Sequence, residues 1–363
     1  MRRFWSCSGL SFALVSISLA QWTANVLAPE EAWASIAFEV TDAGYVGFAW
    51  VIDGHHATLW TGSSLVDLNP TRFNDTYAYG GTRSYQVGGG SGEATGFMYH
   101  ALKWNGSAAS VVDLHPPGFT SSWISDADEE FQTGYGFINE TNSHALLWNG
   151  TASATIDLNP VGFTNSSAKA MWGGKQFGSG SGVATNNNEH ALMWSGTAES
   201  VVDLNPPGKD GSTIAGAASS GQIGTSWSEP FGLFHATFWN AIEGTPVDLN
   251  PIDYFSTMGY GISSFGQVGA GKATPDSEAH ALYWNGSASS LVDLHGSLSG
   301  FPNFVASSAF DIDDDGTIVG CAYDRGGRSY AIKWTNSVPE PGSLVGLLFG
   351  GIAFFRFRKA GTS

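Results

Sequence analysis

Short runs of alternating apolar and polar residues follow one another along most of the chain, always in the same order. Residues 143–160 show the unit: apolar-rich runs at 144–148 and 154–158 flank Asn149-Gly150, a strong signal for a β-hairpin. A histidine opens the first run at His56, His100, His144, His190, His235 and His280, with Tyr330 in a seventh copy. The spacings are 44, 44, 46, 45 and 45, and a tryptophan closes each run four residues on, from Trp60 to Trp334. The second run carries Asp67, Asp113, Asp157, Asp203, Asp248 or Asp293. Five of these lie 13 residues after their histidine and Asp67 lies 11 after His56, a difference of two that leaves the side-chain faces unchanged. Each His is therefore expected opposite its Asp on neighbouring strands.

Two further runs precede each hairpin. One ends in Gln-apolar-Gly, as in Gln86-Val87-Gly88 and Gln267-Val268-Gly269; before it comes a stretch of small residues such as Thr213-Ile214-Ala215-Gly216. Four short strands in about 45 residues, with small residues in the first two, predict the blade of a β-propeller, whose inner strands crowd the axis. The fold predicted is all-β, a seven-bladed propeller of four-stranded blades, over residues 21–336.

The seventh copy stops at Trp334 with no fourth strand. In the first five copies the proline after the fourth strand stands 18 residues before the next strand-closing glycine, as in Pro160 and Gly178, whereas in the sixth Gly296 stands 24 before Gly320; Pro29 stands 18 before Gly47. Val26-Leu27 thus falls where a Val-Asp-Leu copy belongs, and the N-terminal strand is expected to close the ring.

With 48 glycines and 13% charged residues, the chain has the composition of a packed β protein rather than a disordered one. Its formal charge of −17 excludes nucleic acid and anionic membrane surfaces as favoured partners. Cys7 falls in a leader, so Cys321 stands alone and no disulfide framework exists; it reads as a small packed strand residue.

Both ends read as addresses. Arg2-Arg3, an apolar stretch at 10–19 and Ser18-Leu19-Ala20 form a secretory signal over residues 1–20; Ala32-Trp33-Ala34 offers a second cleavage site. Residues 337–363 hold Pro339-Glu340-Pro341, a short apolar helix at 344–355, and Arg356, Arg358 and Lys359. This end resembles the PEP-CTERM sorting signal of Gram-negative bacteria. That resemblance implies a transient membrane anchor, recognition and cleavage by an exosortase, and passage to the cell surface or exopolysaccharide matrix. The body, from Phe38 to Trp334, resembles the extracellular HAF-repeat proteins, with Leu102, Leu146 or Thr237 where that family has Phe. No chemistry carries over with it.

Candidate chemistry is sparse. Six equivalent His/Asp pairs argue for cross-strand bonds within each blade, because catalysis needs one distinct constellation. Gly178-Ser179-Gly180-Ser181-Gly182 lacks the lysine and helix of a phosphate loop and aligns with the repeat. Asp311, Asp313 and Asp315, with Gly316 sixth and Ile318 eighth, match the start of a calcium loop, but Ala322 stands where the bidentate Glu belongs. The same residues also read as the turn between a first and second strand. The aromatic residues three after the repeat prolines, Phe73, Phe119, Phe163 and Tyr254 (Lys209 in one copy), are expected between blades. Loop lengths vary on the face shared by the second-to-third and fourth-to-first connections, which marks it as the binding face.

Two functions fit: a non-catalytic cell-surface or matrix module that binds exopolysaccharide or a surface protein, or a secreted carbohydrate-active enzyme. Loop residues Glu93, Glu189, Glu229 and Glu278 are the candidate carboxylates for the second. No cofactor is expected beyond the calcium candidate.

Overall fold

A computed structural model describes residues 21–27, 32–62, 64–228, 233–240, 245–301 and 303–337. Residues 1–20, expected to be a signal peptide, and Pro339, Glu340, Pro341 with the apolar helix expected at 344–355 lie outside the described residues. Among the described residues, no helix is long and apolar enough to cross a membrane. Ala24–Thr335 forms one compact unit.

Seven four-stranded antiparallel sheets follow one another as the blades of a propeller. The innermost strands are Ala34–Thr41, Asp75–Gly81, Ser121–Ala127, Asn165–Trp172, Gly211–Ala218, Ser256–Ile262 and Phe304–Ile312, for blades 1 to 7 in order. In blade 7 the fourth, outer strand is the N-terminal one, Gln21–Val26, beside Ser329–Ser337. Leu27 N–H donates to Ala331 O at 2.8 Å, and in blade 3 Leu158 N–H donates to Ala145 O at 2.9 Å. Leu27 thus takes the place of the repeat leucine, as the proline spacing predicts.

The apolar core lies between blades rather than within them. Val46, Ala57, Leu59 and Leu68 of blade 1 pack on Ala78, Leu102 and Trp104 of blade 2, and the same seam recurs around the ring. At three seams the tryptophan also bonds across: the indole N–H of Trp60, Trp148 and Trp239 donates to the carbonyls of Leu27, Leu114 and Leu204. Phe73, Phe119, Phe163 and Tyr254 pack against these clusters, as expected.

Every inner strand carries a β-bulge at the same place, so that Phe38, Tyr79, Ser125, Lys169, Ala215, Tyr260 and Phe310 are each extra residues. The bulge explains the glycine that closes Gln-apolar-Gly. A Cβ on Gly134 would stand 2.0 Å from Trp123 O, and one on Gly88 would stand 1.9 Å from Tyr77 O. The glutamine serves the far end of the blade: Gln86, Gln132, Gln176 and Gln267 Oε1 accept the N–H of Gly106, Gly150, Gly196 and Gly286. That turn is longer than the two-residue Asn-Gly hairpin expected. After Gly150, at φ 68°, a 3-10 turn Ala152–Ala154 intervenes, and the outer strand is only Thr155–Asp157.

Candidate functional site

The six repeated pairs are hydrogen-bonded throughout. Nδ1 of His100, His144, His190, His235 and His280 lies 2.7 Å from Oδ2 of Asp113, Asp157, Asp203, Asp248 and Asp293, and His56 lies 2.8 Å from Asp67. The pairing is diagonal rather than directly opposite. Asp157 faces Leu146, two residues beyond His144, because positions i and i+2 share a face of the sheet and the imidazole reaches across. Each carboxylate also accepts the N–H two residues on, as Asp157 Oδ1 does from Asn159 at 2.8 Å.

The network then crosses to the next blade. Asn159 Oδ1 accepts Ser166 Oγ–H at 2.7 Å, and Ser166 Oγ accepts Ala145 N–H at 2.9 Å. In two copies a histidine replaces the asparagine. His115 and His295 contact the Oγ of Ser122 and Ser307, and stack on His100 and His280 with ring centres 4.0 and 4.1 Å apart. All six pairs are thereby occupied in joining strands and blades.

The calcium candidates part company. Asp311 Oδ2 accepts Val40 N–H of blade 1 at 2.9 Å. Asp313 Oδ1 accepts the N–H groups of Asp315 and Thr317 inside its own turn, while Asp315 is exposed. Asp314 accepts both the N–H and the hydroxyl of Ser264. Among the described residues, no group of three His, Cys, Asp or Glu side chains is disposed to hold a metal ion. Cys321 is buried, and burial raises its thiol to about 12, which suits a packed strand residue.

What distinguishes one blade from another lies along the axis. Toward the face of the second-to-third connections, aromatic rings run unbroken across blades 1 to 3. Trp50 stacks on His55 at 5.2 Å and His55 on Tyr77 at 5.3 Å. Tyr77 meets Tyr99 at 6.4 Å, Tyr99 stacks on Trp123 at 5.2 Å, and Trp123 on Tyr135 at 5.4 Å. Trp33 at 53% and Trp50 at 41% exposure open the run to solvent. At its other end Lys169 Nζ lies 4.3 Å over the Tyr135 ring. Lys169 is exposed to the channel by surface area, yet the protein around it desolvates the amine and holds it below its ordinary range, with Glu189 pulling the other way.

At the opposite face the channel widens into a cavity of about 550 Å³, bordered by Asp42, Trp172, Ser219, Ser263 and residues 313–315. Its inner end is an arc of rings: Phe38 lies 5.1 Å from Tyr79 and 5.9 Å from Phe310, and Phe310 lies 5.5 Å from Tyr260. Its wall carries Glu39, Asp126 and Asp311, each one residue past a bulge. Each accepts an N–H from the following blade, from Gly81 at 3.3 Å, Met171 at 2.7 Å and Val40 at 2.9 Å.

The three are half-buried by surface area, since they line the channel, yet protein surrounds them. Burial raises Asp126 to about 6 and Asp311 to about 7. Burial, then the charges of Asp126 and Asp311, pushes Glu39 well above the carboxylate range.

Comparison of the sequence finds no matching protein-family model and no matching curated protein. Comparison of the fold finds propeller-containing hydrolases. A puromycin-hydrolyzing peptidase of Mycobacterium tuberculosis is similar over 84% of this chain and 52% of its own, at 12% identity and a TM-score of 0.51. A puromycin hydrolase complexed with PGG is similar over 85% and 55%, at 10% identity and a TM-score of 0.52. This chain spans about half the length of those proteins. The likeness is one of fold.

The sequence reading passed over Glu39, Asp126, Lys169 and the aromatic run. A signal was there: counted back eight residues from the glycine of the second strand, blades 1 to 6 show Glu39, Gly80, Asp126, Ala170, Gly216 and Gly261. Two acids among glycines and alanines mark positions where a tiny residue suffices. Of the loop carboxylates, Glu93 pairs with Arg72, Glu189 accepts Ser179 Oγ–H at 2.6 Å, Glu278 is exposed, and Glu229 lies outside the described residues.

Proposed function

We propose that this protein is a non-catalytic binding module of the cell surface or exopolysaccharide matrix, and that the axial aromatic run takes a glycan. The observation that carries the reading is the run itself: stacked and tilted rings from Trp50 to Tyr135 over three adjacent blades, in a protein whose repeated His/Asp groups are already bonded to one another. Aromatic rings present flat apolar faces with polar edges, which suits the apolar face and hydroxyl rim of a pyranose. The formal charge of −17 favours a neutral chain over a polyanionic one.

Export is part of the same proposal. The leader and the PEP-CTERM-like end support secretion, transient anchoring by the apolar helix and cleavage by an exosortase near Pro339. The resemblance to HAF-repeat proteins agrees with an extracellular site.

Two measurements test this. Mass spectrometry of the protein recovered from its host's surface or medium should find a chain beginning near Gln21 and ending near Val338; retention of Met1 and Ser363 would sink the export reading. Co-sedimentation with the host's own exopolysaccharide should retain the protein without shortening the polymer, and Trp50→Ala with Trp123→Ala should release it. Appearance of reducing ends would make it a carbohydrate-active enzyme instead.

A further inference from the structure

The cavity at the opposite end of the channel is built differently from the aromatic run, and nothing in the binding of a neutral glycan uses it. We propose that this cavity is a second site, which holds an organic cation, an ammonium group on an apolar stem.

The wall supplies the charge. Glu39, Asp126 and Asp311 stand on three different inner strands, all facing one cavity of about 550 Å³, a size suited to a small ligand. Among the described residues, no Lys, Arg or His side chain is paired with any of them. Lys169, on the same ring of bulge positions, also lines the cavity, with its ammonium over the Tyr135 ring rather than on a carboxylate. Glu39 is half-buried at the cavity wall, and its Oε1 accepts Gly81 N–H at 3.3 Å. Carboxylates that share one site repel one another, a cost that a cation in the cavity relieves.

The inner end supplies the selectivity. Phe38, Tyr79, Tyr260 and Phe310 form a contiguous arc of rings one residue before the carboxylate level of their strands. Ring faces attract cations and also accept a hydrocarbon stem. A hydrated metal ion would gain little from them, and no three-carboxylate metal geometry is present among the described residues. Asp42 and residues 313–315 at the mouth add negative charge that draws cations toward the opening.

Calorimetric titration of the purified protein with cadaverine at pH 8.5, above the values to which burial raises Asp126 and Asp311, tests this. Saturable binding at a single site is expected, with glutarate inert and calcium chloride competing no better than sodium chloride. Glu39→Gln and Asp126→Asn should each weaken binding about tenfold, Phe310→Leu severalfold, and Glu93→Gln on the other face should leave it unchanged. Circular dichroism confirms that each variant folds; should Glu39→Gln fail to, Asp126→Asn and Phe310→Leu carry the test. Absence of saturable binding, undiminished binding in the carboxylate variants, or displacement by calcium would overturn the proposal. The exopolysaccharide assay is independent of all of these outcomes.

Discussion

Ser35 Oγ accepts the backbone N–H of Ala331 at 3.0 Å, across 296 residues of chain. It is the seventh copy of the bond that Ser166 makes to Ala145, and it ties blade 1 to blade 7. Beside it, Leu27 N–H donates to the carbonyl of the same Ala331, so that one residue is held by both halves of the closure. Ser35→Ala should leave the buried Ala331 N–H without an acceptor and cost about 1–3 kcal/mol. Thermal unfolding should show Ser35→Ala and Ser166→Ala lowering Tm comparably; an unchanged Tm in Ser35→Ala would mean the ring does not depend on this bond.

The second-strand glycines should be the least replaceable residues in the repeat. Gly134→Ala places a Cβ 2.0 Å from Trp123 O, a backbone atom held by the bulge. A loss of about 3 kcal/mol or more is expected, or failure to fold. Gly150→Ala, in a turn with open space around it but φ 68°, should cost only about 1 kcal/mol. Denaturant titration of the pair distinguishes close approach from conformational preference.

No single His/Asp pair should dominate. Exposure of the side chains, 18% for His144 and 48% for Asp157, leaves water competing for the bond. A double-mutant cycle on His144 and Asp157 should return a coupling of about 0.2–1 kcal/mol. The other five copies should behave alike, and none should abolish ligand retention.

Acid–base linkage gives a signed expectation. Glu39, Asp126 and Asp311 have carboxyls raised in the folded chain, to about 6 for Asp126 and about 7 for Asp311. Folding therefore takes up protons between the ordinary carboxylate value, about 4, and these values. The stability they contribute is complete below about pH 4 and is lost as pH rises through about 6 to 7. His115 and His295, lowered by burial and then by the histidine each stacks on, work the other way, losing stability as pH falls below the ordinary imidazole range. Asp311→Asn isolates the first effect: its amide oxygen can still accept Val40 N–H, while the charge is gone. Its Tm should exceed that of the wild type by about 2–4 °C at pH 8, and the gap should close or reverse at pH 5. A constant gap would show that Asp311 does not titrate there.

The fold was legible along the chain because it is written as local pattern. The spacing of His144 to Trp148 and of Pro160 to Gly178 recurs in most blades, since every blade must present the same faces to its neighbours. From that period came the four strands, the seven blades and the place of Leu27 in the last one. The candidate binding surfaces are not periodic, and for that reason they escaped. Trp50, Tyr77 and Trp123 come from three blades and are joined through His55 and Tyr99 only because the ring sets those blades side by side about one axis. Glu39, Asp126 and Asp311 lie far apart in sequence, yet share one cavity because a bulge at the same step of each inner strand points the next residue across the seam. Even the calcium-like run 311–315 is divided by tertiary structure. Asp311 reaches Val40 in the first blade, and Asp313 turns back on its own loop, so adjacency in sequence does not become convergence in space. Repetition specifies a scaffold from sequence alone; which of its departures from repetition face one another is decided only when the ring is closed.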